Sequence, residues 1–92
     1  MKTPSLTIFA NFRIDNEERY LRMRDSFLSF KDISAEKWVI NVRGSYKERT
    51  LNFLNKHLEG KLCHYQLESK KGWFADTRKM LKDINSDFVF FW

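Results

Sequence analysis

Four short apolar segments alternate with three stretches of amphipathic helical periodicity along the chain. This alternation constrains the fold most strongly, because a strand that returns parallel to its predecessor needs a long crossover, usually a helix. We therefore expect an α/β fold: a three-layer αβα sandwich around a four-stranded parallel sheet, with the element order β-α-β-α-β-α-β. The crossovers are expected to be right-handed, and the expected strand order is 3-2-1-4 in a Rossmann-like domain.

The strand predictions rest on β-branched and aromatic residues that follow one another almost without interruption, as in strands covered on both faces. The predicted strands span residues 5–11, 37–42, 62–68 and 87–92. After Asp87 the last strand is apolar with no alternation of period two, so we expect both of its faces to be covered, although the sequence ends on Trp92.

The helix predictions rest on apolar residues that recur at spacings of three and four. Asp15 or Asn16 is the expected N-cap of the first helix, which should run to about residue 30. Ser45 and Glu48 match a capping box at the start of the second helix, and Gly60 is placed to end that helix in a left-handed conformation. The third helix is expected to bury Trp73, Thr77, Met80, Leu81 and Ile84.

Length and composition indicate one folded domain over residues 1–92, with 42% hydrophobic residues and a net charge of +5. Cys63 is the only cysteine, so no disulfide can form within the chain, and a cytoplasmic protein is expected. The first apolar segment is too short for a signal peptide or a membrane span. Because no His or Cys lies at a ligand or triad spacing, no metal site and no catalytic residue is predicted.

Candidate binding residues lie in the loops that follow the strands, because open parallel sheets bind ligands beyond the carboxyl ends of their strands. These loops carry basic side chains, which together with the N-termini of the helices favour a phosphate or diphosphate. A nucleotide is the inferred ligand, and the alternative is that the cations are only solvated. The candidates are Asn11, Arg13, Arg43, Lys70 and Lys71.

The order of elements and several short motifs resemble the nucleotide-sugar-binding half of GT-A-fold glycosyltransferases, particularly the large inverting family that builds polysaccharides and glycoconjugates. The resemblance rests on the opening strand 6–12, on Gly44-Ser45 after the second strand, and on segment 72–78. It implies that Asn11 lies near the donor base and that Arg78 matches an arginine at the start of the family's third helix.

The second strand lacks the paired acids that usually end it in this family, and Val42-Arg43-Gly44-Ser45 keeps only the Gly-Ser. The resemblance therefore implies that Asn41 or Arg43 replaces the acid that recognises the donor base. Segment 86–92 resembles the buried strand that runs into the family's acidic metal-binding motif.

The same resemblance implies that the chain is the truncated N-terminal donor-binding part of a larger enzyme. That parent would transfer a sugar from a nucleoside diphosphate sugar to an acceptor hydroxyl, with Mg²⁺ or Mn²⁺ held against the diphosphate. This chain lacks the acidic motif and the acceptor half, so it is expected to be inactive alone and to hold no cofactor itself.

A second interpretation belongs to a different class of function. The chain would be a small Rossmann-like or flavodoxin-like interaction module that binds a protein partner through its apolar fourth strand. It would form a homodimer or a complex with another protein and bury Phe91 and Trp92. No nucleic-acid role is predicted, because periodicity assigns the interleaved aromatic residues to the core. These residues are Phe27, Phe30, Phe53, Phe88 and Phe90.

Overall fold

The computed structural model describes residues 4–67 and 70–92, which form one parallel sheet and three helices. The strands are β1 (Leu6–Arg13), β2 (Lys37–Arg43), β3 (Leu62–Tyr65) and β4 (Phe88–Phe91). The helices are α1 (Glu17–Phe30), α2 (Lys47–His57) and α3 (Trp73–Leu81). The strand order β3-β2-β1-β4 and the parallel pairing confirm the predicted Rossmann-like fold.

The two central strands are covered on both faces, as their unbroken hydrophobicity predicts. Successive side chains of a strand point to opposite faces. Ile8 and Trp38 lie on the face covered by α1 and α2, which we call the α1–α2 face. Phe9 and Val39 lie on the opposite face against Met80 of α3, which we call the α3 face. The sheet is thus the middle of three layers.

The core of the α1–α2 face contains a group of aromatic side chains in mutual contact. The ring centroid of Phe27 lies 5.5 Å from that of Trp38 and 5.6 Å from that of Phe53, so this side chain joins both helices to β2. Phe30 stacks on Trp38 at 5.8 Å, and Trp92 meets Phe30 edge to face at 5.2 Å. The helical periodicity therefore identified this packing surface correctly.

The helix ends agree with the sequence except at the start of α2. The side chain of Asn16 caps α1 by accepting a hydrogen bond from a first-turn backbone N–H, and Gly60 has a φ of 74° after α2, as predicted. The predicted capping box is wrong, because the N-cap of α2 is Tyr46 and no side chain caps it. Ser45 Oγ instead donates to the carbonyl oxygen of Asp15 at 3.0 Å, so its hydroxyl is engaged with the neighbouring loop.

The third strand is shorter than predicted. It ends at Tyr65, whereas the prediction extended to Glu68, which lies outside the described residues. Leu67 does not continue the ladder, because its N–H and C=O bond to the side chain of Asn41 at 2.9 and 3.0 Å. The side chain of Asn41 therefore takes the hydrogen bonds that the next residue pair of the β2–β3 ladder would otherwise form.

The buried side of α3 differs from the one expected. Thr77 and Met80 are buried as predicted, and Asp76 joins them, whereas Trp73 and Leu81 are 42% and 37% exposed. The helix turns polar residues toward the sheet because the strands below it carry polar side chains at this end.

The fourth strand is an edge strand of the described sheet and pairs with β1. Phe88, Phe90 and Phe91 are 61%, 45% and 65% exposed, so the prediction that both faces of this strand are covered is wrong for the described residues. Periodicity misplaced Phe88 and Phe90 in the core because it cannot distinguish an edge strand from a central one. None of the helices in the described ranges is long and apolar enough to cross a membrane.

Candidate functional site

The carboxyl ends of β1 and β2 bring several of the predicted residues to one edge of the sheet. The register pairs Asn11 with Asn41, and two residues further it pairs Arg13 with Arg43. The remaining candidates lie at exposed positions in the turn before α3 and in α3 itself: Lys70, Lys71 and Arg78.

Asn11 and Asn41 form a buried hydrogen-bonded pair. Asn41 Nδ2 donates to Asn11 Oδ1 and to the carbonyl oxygen of Leu67, both at 3.0 Å. Asn11 Nδ2 donates to Thr77 Oγ1 at 2.8 Å and to the carbonyl oxygen of Trp73 at 3.3 Å. Each side-chain amide thus uses both of its N–H donors within the protein. The pair ties the two central strands to α3, and in this arrangement its N–H groups are not available to a ligand.

The loops that follow β1 and β2 are locked together at Gly44. Its φ of 104° suits glycine, and a Cβ there would clash with the carbonyl oxygen of Ile14 and lie 2.5 Å from Asp15 Oδ1. Ile14 N donates to the carbonyl oxygen of Arg43 at 2.7 Å, and Tyr46 N donates to that of Ile14 at 2.9 Å. The backbone of these two loops is therefore held in a fixed position relative to the edge of the sheet.

An open cleft of about 650 Å³ lies at the carboxyl end of β1, beside the first turns of α1 and the end of β4. The strand order reverses at this place, since β4 lies on the opposite side of β1 from β2. The apolar lining is Phe12, Ile14, Met23 and Trp92, and the polar lining is Arg13, Asn16, Glu18, Arg19 and Arg22.

The charges of the cleft are mainly positive. Arg22 Nη2 lies 2.7 Å from Glu18 Oε1, and Arg13 Nη1 lies 3.8 Å from Asp15 Oδ2. Both pairs are exposed, and such pairs are weak enough for an anionic ligand to compete with them. Within residues 4–67 and 70–92, Arg19 forms no ion pair. The cleft therefore favours an anion.

Arg13 is the one predicted binding residue that lines this cleft, and the sequence prediction missed Arg19 and Arg22. A signal for the two arginines was present, since residues three apart on a helix share a face and these lie in its first turns. Trp92 lies at this crevice as the reversal of strand order predicts, and its ring centroid lies 5.3 Å from that of Phe12. Asn11, which was expected beside Trp92, does not line the cleft and bonds to Thr77 instead.

A smaller hollow of about 60 Å³ lies at the end of β2. Arg43 lines it and is half-buried, and its Nε atom is buried with no hydrogen-bond partner in the described part of the chain. Lys47, the first residue of α2, lines the same hollow. The register thus brings Arg13 and Arg43 together, but they line two different cavities.

The described residues contain no group of three or more His, Cys, Asp or Glu side chains that could hold a metal ion. They therefore do not fit the Mg²⁺ or Mn²⁺ that the resemblance implies for the parent enzyme. Comparisons with protein families, with curated proteins and with solved structures find no match to this chain. The functional argument consequently rests on the geometry and charge of the carboxyl edge.

Proposed function

We propose that this domain is the donor-binding part of a glycosyltransferase and that a nucleoside diphosphate sugar binds in the cleft at the carboxyl end of β1. The position of the cleft carries the proposal. It opens where the strand order reverses, which is where open α/β sheets bind their ligands.

The chemistry of the cleft supports the same ligand class. A nucleotide combines a planar ring with a strongly charged diphosphate, and the cleft combines an aromatic wall with the guanidinium groups of Arg13, Arg19 and Arg22. Its volume of about 650 Å³ falls within the range of roughly 300–1,000 Å³ that is common for small-molecule sites. The exposed Lys70 and Lys71 add positive potential near the same edge and would attract the anion.

In this proposal the described residues bind and orient the donor. The arginines neutralise the diphosphate, and the aromatic wall of Phe12 and Trp92 accepts the base or ribose. Transfer of the sugar needs an acceptor site and, by the resemblance, a divalent cation that neutralises the leaving diphosphate. The chain alone is therefore proposed to bind the donor without transferring its sugar.

Titration of the folded domain with uridine, guanosine and adenosine diphosphates tests the proposal, with chemical shifts of backbone amides and Trp92 Nε1–H as the signal. Arg19→Gln should weaken binding by roughly tenfold or more, because a hydrogen bond between charged groups is lost. Arg24→Gln is the matched control, since Arg24 lies on the same helix, pairs with Asp25 and does not line the cleft. A folded domain that binds none of the nucleotides would overturn the proposal, and so would equal losses in both variants.

A second candidate function is self-association of two copies through β4, and the exposed aromatic strand favours it. Phe88 N bonds to Ser5 and Trp92 N bonds to Phe9, so the backbone groups of Val89 and Phe91 point away from β1. The strand contains no charged residue, whereas natural edge strands often carry charges that prevent pairing. An antiparallel β4–β4 contact would satisfy these groups in a symmetric dimer.

Sedimentation measurements over a range of protein concentrations test this second candidate. A dimer that Phe91→Lys converts to a monomer supports it, with Phe74→Lys as the control at an exposed aromatic residue of α3. A monomer at every concentration would rule it out without affecting the nucleotide proposal.

A further inference from the structure

We infer that the hollow at the end of β2 is a second binding site, separate from the cleft, which takes a single phosphoryl group or a similar tetrahedral oxyanion. The described residues that line it are Val42, Arg43, Gly44, Lys47, Gln66 and Leu67. None of them lines the cleft at the end of β1, so the site does not depend on the nucleotide proposal.

The first observation is the state of the Arg43 side chain. It is half-buried and its Nε atom is buried, yet the side chain has neither a hydrogen-bond acceptor nor an ion-pair partner among the described residues. A buried charged donor without an acceptor is unfavourable, because it has lost its hydration and gained nothing in return. An anion in the hollow would give the Arg43 guanidinium an acceptor and an opposite charge.

The second observation is the sign of the surrounding charge. Lys47 is also half-buried and lines the hollow, and no acidic residue within 4–67 or 70–92 does. The register places Arg43 directly opposite Arg13 on the neighbouring strand, and like charges in this position repel. Arg13 has the Asp15 carboxylate 3.8 Å away, whereas no carboxylate of the described residues lies within ion-pairing distance of Arg43. An oxyanion between Arg43 and Lys47 would balance the charge.

The third observation is the rigidity of the wall around the hollow. Gly44 is held against Ile14 and Asp15, so the backbone beside Arg43 is held in place before any ligand arrives. Ser45 donates its hydroxyl to Asp15 and leaves the start of α2 without a side-chain cap. The positive end of that helix therefore reinforces Arg43 and Lys47.

Size restricts the ligand. The volume of about 60 Å³ is twice the roughly 30 Å³ that one water molecule occupies in the liquid, so a single tetrahedral group fits and a nucleotide does not. Arginine suits such a group because its planar guanidinium can donate two parallel hydrogen bonds to neighbouring oxygens.

Titration of the domain with inorganic phosphate at constant ionic strength tests the inference. The backbone amides of Gly44 and Lys47 should shift together and saturate. Arg43→Gln should weaken phosphate binding by about tenfold or more, and Lys47→Gln should weaken it less. Lys56→Gln, at the far end of α2, is the matched control and should bind phosphate as the unaltered protein does.

If a substitution shifts many resonances, binding can be measured instead by thermal unfolding in the presence of phosphate. Phosphate should raise the Tm of the unaltered protein and leave that of Arg43→Gln unchanged. Phenyl phosphate distinguishes two sources of the same group: binding as tight as that of phosphate indicates the monoester end of a larger molecule, and exclusion indicates free phosphate. Absence of saturable shifts at Gly44 and Lys47 would overturn the inference, as would an equal loss of binding in Lys56→Gln. Failure to bind nucleoside diphosphates would overturn only the proposed function.

Discussion

The two faces of the sheet hold their helices by different means. On the α1–α2 face the strands present Ile8, Ala10, Trp38 and Ile40, all buried and apolar, to a continuous aromatic core. On the α3 face a small apolar cluster of Phe9, Val39 and Met80 is followed toward the carboxyl edge by the hydrogen-bonded pair Asn11 and Asn41. Apolar burial therefore stabilises one face, whereas directional hydrogen bonds position the helix on the other.

This difference follows from how much cover each face receives. Two helices of 14 and 11 residues pack on the first face, and one helix of 9 residues packs on the second. A short helix buries little apolar area, so its position is poorly defined by packing alone. Hydrogen bonds from Asn11 to Thr77 and Trp73 fix the position of α3 at the carboxyl edge of the sheet.

The largest expected effect comes from the apolar face. Phe27→Ala removes a side chain that is 0% exposed and should lower the free energy of unfolding by about 3–5 kcal/mol, because it leaves a cavity between α1, α2 and β2. Urea denaturation measures the change, with Phe88→Ala on the exposed edge strand as a control that should have a much smaller effect. Similar losses for both variants would contradict the proposed division between a buried face and an open edge.

On the α3 face, Asn41→Leu should cost about 1–3 kcal/mol, because it leaves the backbone groups of Leu67 and the Oδ1 atom of Asn11 without their partners. Replacing Asn11 and Asn41 together by Leu should lower the free energy of unfolding by less than the sum of the two single changes. Each single change leaves the other amide buried without its partner, and the double change does not. Additive losses in urea denaturation would show that the two amides do not act as a unit.

A smaller effect is expected where β3 meets the loop after α3. Tyr65 donates its hydroxyl hydrogen to Asp83 Oδ2 at 2.5 Å, and Tyr65→Phe should cost about 1 kcal/mol. Burial, with help from Asp83, raises the pKa of Tyr65 from 10.0 to about 12. Folding therefore favours the protonated hydroxyl, so this contribution is complete below pH 10 and is lost as the pH rises toward 12. A Tyr65→Phe variant with the same alkaline unfolding curve as the unaltered protein would contradict the assignment.

The smallest effect on stability is expected at the exposed ion pair between α1 and α2. Arg49 donates to both carboxylate oxygens of Glu17, at 2.5 and 3.2 Å, and these hydrogen bonds hold the pKa of Glu17 below its usual value of 4.5. The contribution is present above pH 4.5 and disappears as acid protonates the carboxylate. Glu17→Gln should therefore slightly reduce the loss of unfolding free energy that the protein shows between neutral and acid pH, as measured by urea denaturation. Glu59→Gln should leave this pH dependence unchanged. High salt should reduce the difference.

The sequence alone determined the order of the elements, the parallel sheet and the strand order. It also restricted the cap of α1 to Asp15 or Asn16, of which the structure uses Asn16, and brought Arg13 and Arg43 to one edge. These features follow from hydrophobic periodicity, local capping and the handedness of crossovers, each of which acts over a short stretch of chain or applies to every parallel sheet.

The tertiary structure decided which side chains meet. It directed the amides of Asn11 and Asn41 toward α3, turned the Ser45 hydroxyl to Asp15, and placed Trp92 beside Arg19 in the cleft. The partners in these contacts come from distant parts of the chain, and a polar group bonds to whichever partner the folded backbone brings within reach. The edge of the sheet that carries the candidate residues was therefore predictable from the sequence, whereas the residues that line each cavity depended on packing.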